Sequence, residues 1–392
     1  MLSDRIKRIS PSATLAMTAK AAELRASGID VINLSVGEPD FPTPENIRQA
    51  GKRAIDEGYT RYTPGGGIMD LRKAAAVKMA RDNDLHYKPE EILISCGGKH
   101  SLYNACQVLL QAGDEVIIFS PYWVSFPDFV AITGAKPIFV KTDPLHQFEP
   151  VFDDLQLKIT SRTKAIIINS PSNPTGGVWR DDAVLKVLEM AHHANAWVFS
   201  DECYEQLTYD RPYVSTAVLA ENINRGRVLT FQSCSKTYAM TGWRIGYTAG
   251  DKDVIKAMEK LQGQSTSCPT SISQVAAIEA LTGSQSEVER MRKEFKKRRD
   301  YILDRLNHVD GVSCSTPGGA FYVFPDFSSY MEKGEKITSS DDLCMYLLKN
   351  KSVVTVSGSA FGGEGHVRFS YAASDDDLRR AMDFLEEALD EI

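Results

Sequence analysis

The 392-residue sequence lacks the features that mark several classes of protein. No stretch approaches the 18 consecutive apolar residues of a membrane-spanning helix, and there is no internal repeat or low-complexity tract. Positive charge is not in excess, since 45 Lys and Arg stand against 52 Asp and Glu and give a formal net charge of −7. Nucleic acids and anionic lipid surfaces attract positively charged proteins, so we expect neither as a partner.

The cysteines and histidines form none of the usual ligand patterns. Seven cysteines are scattered along the chain and never form a C-x-x-C pair, which argues against a zinc site and a disulfide framework. No His lies four residues from another with an acid between them. The first five residues, MLSDR, lack the apolar region of a signal peptide. We therefore expect reduced thiols, no bound metal and a cytoplasmic protein.

The remaining composition is that of an ordinary globular protein, and its length suggests about two domains. Seven short β-branched runs alternate largely with helix-period stretches such as 99–111, 123–133 and 181–194. This alternation predicts an α/β fold with a mostly parallel sheet of seven strands, buried on both faces. The seven runs are 91–94, 115–119, 136–140, 164–169, 197–200, 228–231 and 245–249.

The C-terminal part changes character and predicts a small α+β domain. An amphipathic stretch after Pro11-Ser12, ending at Gly28, is too short to fold alone, and we expect it to pack against that domain. The predicted division is a large domain over 48–285 and a small domain formed by 1–47 and 286–392. Its predicted C-terminal elements are a charged helix at 287–306, a strand at 319–324, a helix at 341–349, strands at 353–357 and 366–371, and a final helix from Asp375.

A glycine pair follows the first strand of the predicted sheet. Open α/β sheets bind ligands beyond the carboxyl ends of their strands, and Gly97-Gly98 opens a helix there, which suits backbone N–H groups that hold an anion. A P-loop is excluded, because Leu93 and His100 stand where Gly and Ser or Thr are needed. The pair alone is equally compatible with a tight structural turn.

Polar residues also follow three later strands. Asn173 is flanked by prolines that restrict its neighbours to extended or turn conformations. Asp201 ends an apolar strand, where a buried carboxylate needs a cationic partner or else serves as a helix cap. Lys236 lies among small residues eight positions before Arg244, and is either a surface charge or the amine of a Schiff base.

In order along the chain these motifs resemble one family, the class I/II pyridoxal-phosphate (PLP) aminotransferases of fold type I. The resemblance covers nearly the whole chain, and Pro11-Ser12-Ala13-Thr14 makes it most similar to the bacterial aspartate aminotransferase subgroup that includes aspartate/prephenate aminotransferases. The motifs are Gly37-Glu38-Pro39-Asp40-Phe41, Tyr62-Thr63-Pro64, Gly97-Gly98-Lys99, Tyr122-Trp123, Asn173-Pro174-Thr175-Gly176, Asp201-Glu202-x-Tyr204, Ser233-x-Ser235-Lys236 and Arg368-Phe369-Ser370-Tyr371.

The resemblance implies PLP as the cofactor and a role for each matching residue. Lys236 is the amine that bonds to PLP and moves a proton, Asp201 pairs with the ring nitrogen, and Tyr204 with Asn173 donates to the ring oxygen. Trp123 stacks on the ring. The phosphate site is formed by Gly97, Gly98, Ser233, Ser235 and Arg244, with Tyr62 reaching the phosphate of the neighbouring subunit. Lys99, after the glycine pair, is the remaining cofactor residue.

The resemblance also implies how the substrate binds. Arg368 would hold the α-carboxylate, helped by Asn173 and the backbone of Gly37, with Trp123 beside them. Lys99 and Thr14 would meet the second carboxylate of a dicarboxylic substrate, although both are also compatible with ordinary positions at a helix start. Because Tyr62 belongs to the other subunit's site, the implied assembly is a homodimer with composite sites.

The implied reaction moves the amino group of L-aspartate to 2-oxoglutarate and gives oxaloacetate and L-glutamate. The partners are then a small amino acid and a 2-oxo acid. Prephenate or aromatic amino acids are the alternative substrates within the same fold. Two further alternatives are a PLP enzyme of another reaction type, such as decarboxylation, elimination or acyl transfer, and a regulatory relative that only binds PLP.

Overall fold

The computed structural model describes residues 2–11, 13–333 and 337–392, and leaves the side chains of 13–15, 18 and 333 outside the description. The strands of the described residues are β1 (Ile32–Asn33), β2 (Ile92–Ser95), β3 (Glu115–Ser120), β4 (Lys136–Asp143), β5 (Glu149–Pro150), β6 (Thr163–Asn169), β7 (Trp197–Asp201), β8 (Val228–Ser233), β9 (Gly246–Ala249), β10 (Tyr322–Val323), β11 (Val353–Val354), β12 (Val356–Ser357) and β13 (Val367–Ser370).

The helices predicted at 99–111, 123–133, 181–194, 287–306 and 341–349, and the final helix from Asp375, are present within a few residues of those bounds. The α-helices of the described residues are α1 (Ala13–Ala26), α2 (Glu45–Asp56), α3 (Met69–Asn83), α4 (Gly98–Leu109), α5 (Ser125–Ala131), α6 (Phe152–Lys158), α7 (Asp181–His193), α8 (Thr216–Leu219), α9 (Cys234–Thr237), α10 (Lys252–Gly263), α11 (Ser271–Thr282), α12 (Ser286–Asn307), α13 (Ser328–Lys333), α14 (Ser340–Lys351) and α15 (Asp375–Asp390).

A large sheet lies at the centre of the fold, in the order β2-β9-β8-β7-β6-β3-β4-β5. All seven predicted strands belong to it, and β5 adds a two-residue edge strand that the sequence analysis does not predict. The central strands pair in parallel, whereas β9 runs antiparallel to both of its neighbours. Val- and Ile-rich strands such as β3 are buried between apolar clusters on both faces of the sheet, as a parallel sheet requires.

A smaller region contains two short sheets, one of β10, β13 and β12 and one of β1 with β11. The predicted strand 353–357 divides, because β11 pairs in parallel with β1 while β12 pairs antiparallel with β13. The predicted strand 319–324 is reduced to Tyr322–Val323, because Ala320 has a φ of 58°, which a strand does not allow. Helix α1 packs on this region through Ala21 and Leu348, as predicted.

The two regions share an apolar core. Tyr204, Leu207 and Tyr209, which follow β7, lie in the same buried cluster as Phe321 and the helices α12 and α15. The eight-stranded sheet falls within 48–285 and the two short sheets fall outside it. The domain division at these boundaries stays a prediction.

Candidate active site

The carboxyl ends of the central strands open into a cavity of about 340 Å³. This volume is within the range of small-molecule sites. It is lined by residues at or just after the ends of β6, β7 and β8, by the start of α4, and by Arg368 of β13 in the small region. The predicted site residues that line the cavity are Gly37, Gly98, Lys99, Trp123, Asn173, Asp201, Tyr204, Ser233, Ser235, Lys236, Arg244 and Arg368.

Lys236 lies in the single turn of α9 that follows β8, and its Nζ donates a hydrogen bond to the carbonyl oxygen of Gly37. Burial lowers the pKa of Lys236 to about 8, because an ammonium ion loses solvation there. An amine with a lowered pKa is neutral in a larger fraction of molecules at neutral pH and is therefore a better nucleophile.

Asp201 is the last residue of β7, and it is buried and lines the cavity. The backbone N–H of Cys203 donates to its Oδ1 at 3.2 Å. Burial raises the pKa of Asp201 to about 6, because few groups compensate the lost solvation of the carboxylate. A cationic group in the cavity would therefore stabilise its charged form.

The start of α4 forms a corner of the cavity whose groups suit an anion. Gly97 precedes the helix with a φ of 88°, and a Cβ at this position would overlap the guanidinium of Arg244. Ser233 Oγ accepts from the N–H of Ser235 at 3.1 Å, which turns both hydroxyls toward the same corner. Free N–H groups at a helix start, hydroxyls and a guanidinium together suit a phosphate.

Arg368 is almost fully buried, with 1% of its surface exposed. Its guanidinium donates to Asn173 Oδ1 at 2.9 Å and to the carbonyl oxygen of Ser35 at 2.6 Å, while Nε has no partner among the described residues. Burial lowers its pKa. A permanently charged fork with unused donor capacity in a cavity is suited to a carboxylate ligand.

Lys99 and Trp123 lie next to each other in the cavity lining. Lys99 Nζ is 4.9 Å from the centre of the Trp123 ring, and both line the cavity. Burial, together with the nearby Arg244 charge, lowers the pKa of Lys99. The chain therefore places a second cation at the cavity, separate from Arg368.

Two predicted residues whose positions are described, Gly97 and Tyr62, are not among the residues that line the cavity of this chain. Tyr62 is 90% exposed. Two hydrogen bonds anchor the loop that carries it: Gln274 Nε2 donates to Thr63 Oγ1 at 2.9 Å, and Gln262 Nε2 donates to the carbonyl oxygen of Gly65 at 2.6 Å. Thr14 lies in α1, and its side chain is outside the described part of the chain.

The sequence analysis missed Tyr322, whose ring lies under Arg368 and whose hydroxyl bonds to that of Tyr204. Only the pairing of β10 with β13 brings Tyr322 to the site, and the sequence does not give that pairing. A weaker signal existed in the strand predicted over 319–324. Other cavity residues that it missed are Val36, Glu38, Leu102, Val124, Asn169, Cys203 and Thr241.

The described residues include neither a membrane-spanning helix nor a metal-binding group of side chains. No helix in the described ranges is long and apolar enough to span a bilayer. No group of His, Cys, Asp and Glu side chains within those same ranges is arranged to hold a metal ion.

Known proteins share both the sequence and the fold. The family model described as aminotransferase class I and II matches residues 29–385. The chain is 43% identical to an aspartate aminotransferase of Bacillus sp. strain YM-2, covering 100% of this chain and 98% of the relative. It is 46% identical to an aspartate/prephenate aminotransferase of Cereibacter sphaeroides, covering 97% and 96%.

Solved structures give the same result. The aspartate aminotransferase of Thermus thermophilus with maleate superposes with a TM-score of 0.94 at 41% identity, covering 99% of both chains. The aspartate aminotransferase of Rhizobium meliloti superposes with a TM-score of 0.94 at 40% identity, covering 100% of this chain and 99% of that one.

Proposed function

Since the chain belongs to the class I and II aminotransferases, we propose that it moves the amino group of L-aspartate to 2-oxoglutarate with PLP as its cofactor. The products are oxaloacetate and L-glutamate. The observation that carries the proposal is the meeting of Lys236, Asp201 and Arg368 in one cavity. Relatives named for aspartate, at 43–46% identity over nearly the full chain, support the choice of substrate.

The cavity residues fit PLP. When bound, PLP supplies an aldehyde that bonds to amines and a protonated ring that withdraws electrons from the substrate Cα. Asp201 is buried, and its carboxyl group has no cationic hydrogen-bond partner among the described residues. It is therefore available to pair with a protonated ring nitrogen. A Cβ at Gly97 would overlap the guanidinium of Arg244, so glycine at this position leaves room for that guanidinium at the proposed phosphate corner.

The predicted site residues have distinct roles in this proposal. Lys236 holds the cofactor and carries the proton that leaves the substrate Cα, and Asp201 keeps the proton on the ring nitrogen. Tyr204 and Asn173 donate to the ring oxygen, and Trp123 covers the ring. The phosphate residues are Gly97, Gly98, Ser233, Ser235 and Arg244.

Two different cations bind the two carboxylates of the substrate. Arg368 binds the α-carboxylate, with Asn173 and the backbone of Gly37 beside it. Lys99, with Thr14, binds the distal carboxylate that aspartate and 2-oxoglutarate share.

We also propose a homodimer with composite sites and the domain division at 48–285. Tyr62 supports the dimer, because it is exposed on a loop anchored by hydrogen bonds and does not line the cavity of its own chain. It is therefore available to the site of a second subunit. The sheets on either side of the proposed boundaries support the division. A cytoplasmic location stays a prediction.

The test is a keto-acid panel with the purified holoenzyme. We expect aspartate with 2-oxoglutarate to give oxaloacetate at the highest kcat/KM. Prephenate is the second candidate, favoured by the Cereibacter sphaeroides relative, and it should accept the amino group from glutamate or aspartate. If amino-group transfer occurs but aspartate is no better than alanine, the substrate assignment is wrong. If no transfer occurs with any pair, the reaction itself is wrong.

A further inference from the structure

Tyr322 contacts three separate segments of the site. It lies on β10, where its register partner on β13 is Ser370, so Arg368 is two residues along on the same face of the sheet. The Arg368 guanidinium carbon is 4.6 Å from the centre of the Tyr322 ring. Both side chains are less than 2% exposed.

The Tyr322 hydroxyl reaches the other two segments. Its oxygen is 2.8 Å from the Tyr204 oxygen, which belongs to the loop after β7. A Cβ on Gly37 would be 3.0 Å from the same hydroxyl, so the backbone of Gly37 packs directly against it. One side chain therefore contacts three residues that are assigned to cofactor or substrate, namely Arg368, Tyr204 and Gly37.

We propose that Tyr322 is a positioning residue for amino-group transfer: its hydroxyl donates to Tyr204, and its ring supports the Arg368 guanidinium. This inference rests on the proposed function and deepens it. A tyrosine hydroxyl has one hydrogen. Tyr204 therefore points its hydroxyl hydrogen into the cavity only when Tyr322 is the donor in the bond between the two hydroxyls.

Either hydroxyl can donate in the bond between them, and a ligand that accepts from Tyr204 requires Tyr322 to be the donor. Burial raises the pKa of Tyr322 to about 12, and burial also raises the pKa of Tyr204 well above its usual value, so both phenols keep their hydrogens. The face of the Tyr322 ring attracts the charged guanidinium of Arg368, whose pKa is lowered by burial.

The two functions of Tyr322 are separable by substitution. Tyr322→Phe removes the hydroxyl and keeps the ring. We expect kcat to fall roughly 2–10-fold, the value of one lost hydrogen bond, with KM for aspartate within about twofold of wild type. Tyr322→Leu also removes the ring, and KM for aspartate should rise further, by about 10-fold.

A spectroscopic readout distinguishes positioning from packing. A hydrogen bond to the cofactor's ring oxygen stabilises the more negative, deprotonated form of the bound cofactor. Weakening the Tyr204 donor should therefore raise the pH midpoint of the holoenzyme's absorbance change by several tenths of a unit in Tyr322→Phe. The matched control is Tyr371→Phe, which removes another buried hydroxyl, bonded to the carbonyl oxygen of Ala320 at 3.2 Å and outside the cavity.

The double variant completes the test. In a Tyr204→Phe background, Tyr322→Phe should change neither kcat nor the midpoint further, because the donor that it orients is already gone. Additive effects, an unchanged midpoint in Tyr322→Phe, or an equal shift in Tyr371→Phe would overturn the inference. The midpoint needs no turnover, so it decides the inference even if the wild type fails the keto-acid panel.

Discussion

Asp201 is the residue whose contribution to stability and to function should have opposite signs. Its pKa of about 6 lies above the usual value near 3.9, because burial disfavours the carboxylate. A raised carboxyl pKa means that ionisation costs folding free energy. Without cofactor, this cost develops as the pH rises from about 4 to 6 and is then fully present, at about 2–3 kcal/mol.

Asp201→Asn tests both signs. We expect the cofactor-free variant to be more stable than wild type at pH 8 by about 2–3 kcal/mol, with the difference lost below pH 4. Turnover of the holoenzyme should fall far more than PLP affinity, because the ring proton loses its partner. Denaturant unfolding and single-turnover kinetics give the two readouts, and the exposed Asp56→Asn is the control. Unchanged single-turnover rates would make Asp201 a structural residue.

Lys99 tests recognition of the distal carboxylate. A charge-assisted hydrogen bond contributes roughly 1.5–3 kcal/mol, so Lys99→Ala should lower kcat/KM for aspartate by very roughly 10–200-fold. The loss for phenylalanine, which has no distal charge, should be several-fold at most. Equal losses for both substrates, measured side by side, would assign Lys99 to the cofactor or to the fold.

The sequence predicts the site residues that belong to a recognisable motif. It misses the residues that only tertiary contact brings to the site. Lys236, Asp201 and Arg368 are each next to recognisable neighbours in the chain, and the structure brings all three to one cavity. Tyr322 belongs to no motif that the sequence analysis singled out. Its proximity to Arg368 follows from strand register, which is set by packing rather than by local sequence.

At the level of elements, the junction of β2 and α4 determines the phosphate corner. Gly97 has a φ of 88°, and a side chain there would overlap Arg244. Gly97→Ala should therefore weaken PLP binding by more than 10-fold, because both the backbone turn and the Arg244 position change. Gly226→Ala, where a Cβ meets nothing within 4 Å, is the control. Fluorescence titration with PLP measures both, and equal affinities would contradict the assignment.

The strands show which element boundaries the sequence can and cannot specify. β3 and β6 match their predicted runs because apolar residues on both faces leave no alternative to a central strand. The run 353–357 reads as one strand, yet Thr355 separates two pairs that belong to different sheets. Partner choice is non-local, so periodicity alone does not reveal the division.

The whole molecule is expected to act as a dimer in which Tyr62 serves the partner's site. Tyr62→Phe should weaken PLP retention modestly, because one hydroxyl bond to phosphate is lost. Lys236 and Arg368 line the same cavity of one chain. Mixing inactive Lys236→Ala and Arg368→Ala subunits should therefore restore no activity. Recovery of activity in the mixed dimer would show that the two residues come from different chains.

Covalent attachment of PLP to Lys236 is the most direct measurement of the proposed chemistry. The holoenzyme is reduced with borohydride to fix the bond between cofactor and amine, digested, and mapped by mass spectrometry. We expect the label on the peptide that contains Lys236, none on the peptide with Lys99, and neither label nor more than a tenth of wild-type turnover in Lys236→Ala. A label on Lys99, or a Lys236→Ala enzyme that retains more than a tenth of wild-type turnover, would contradict the assignment.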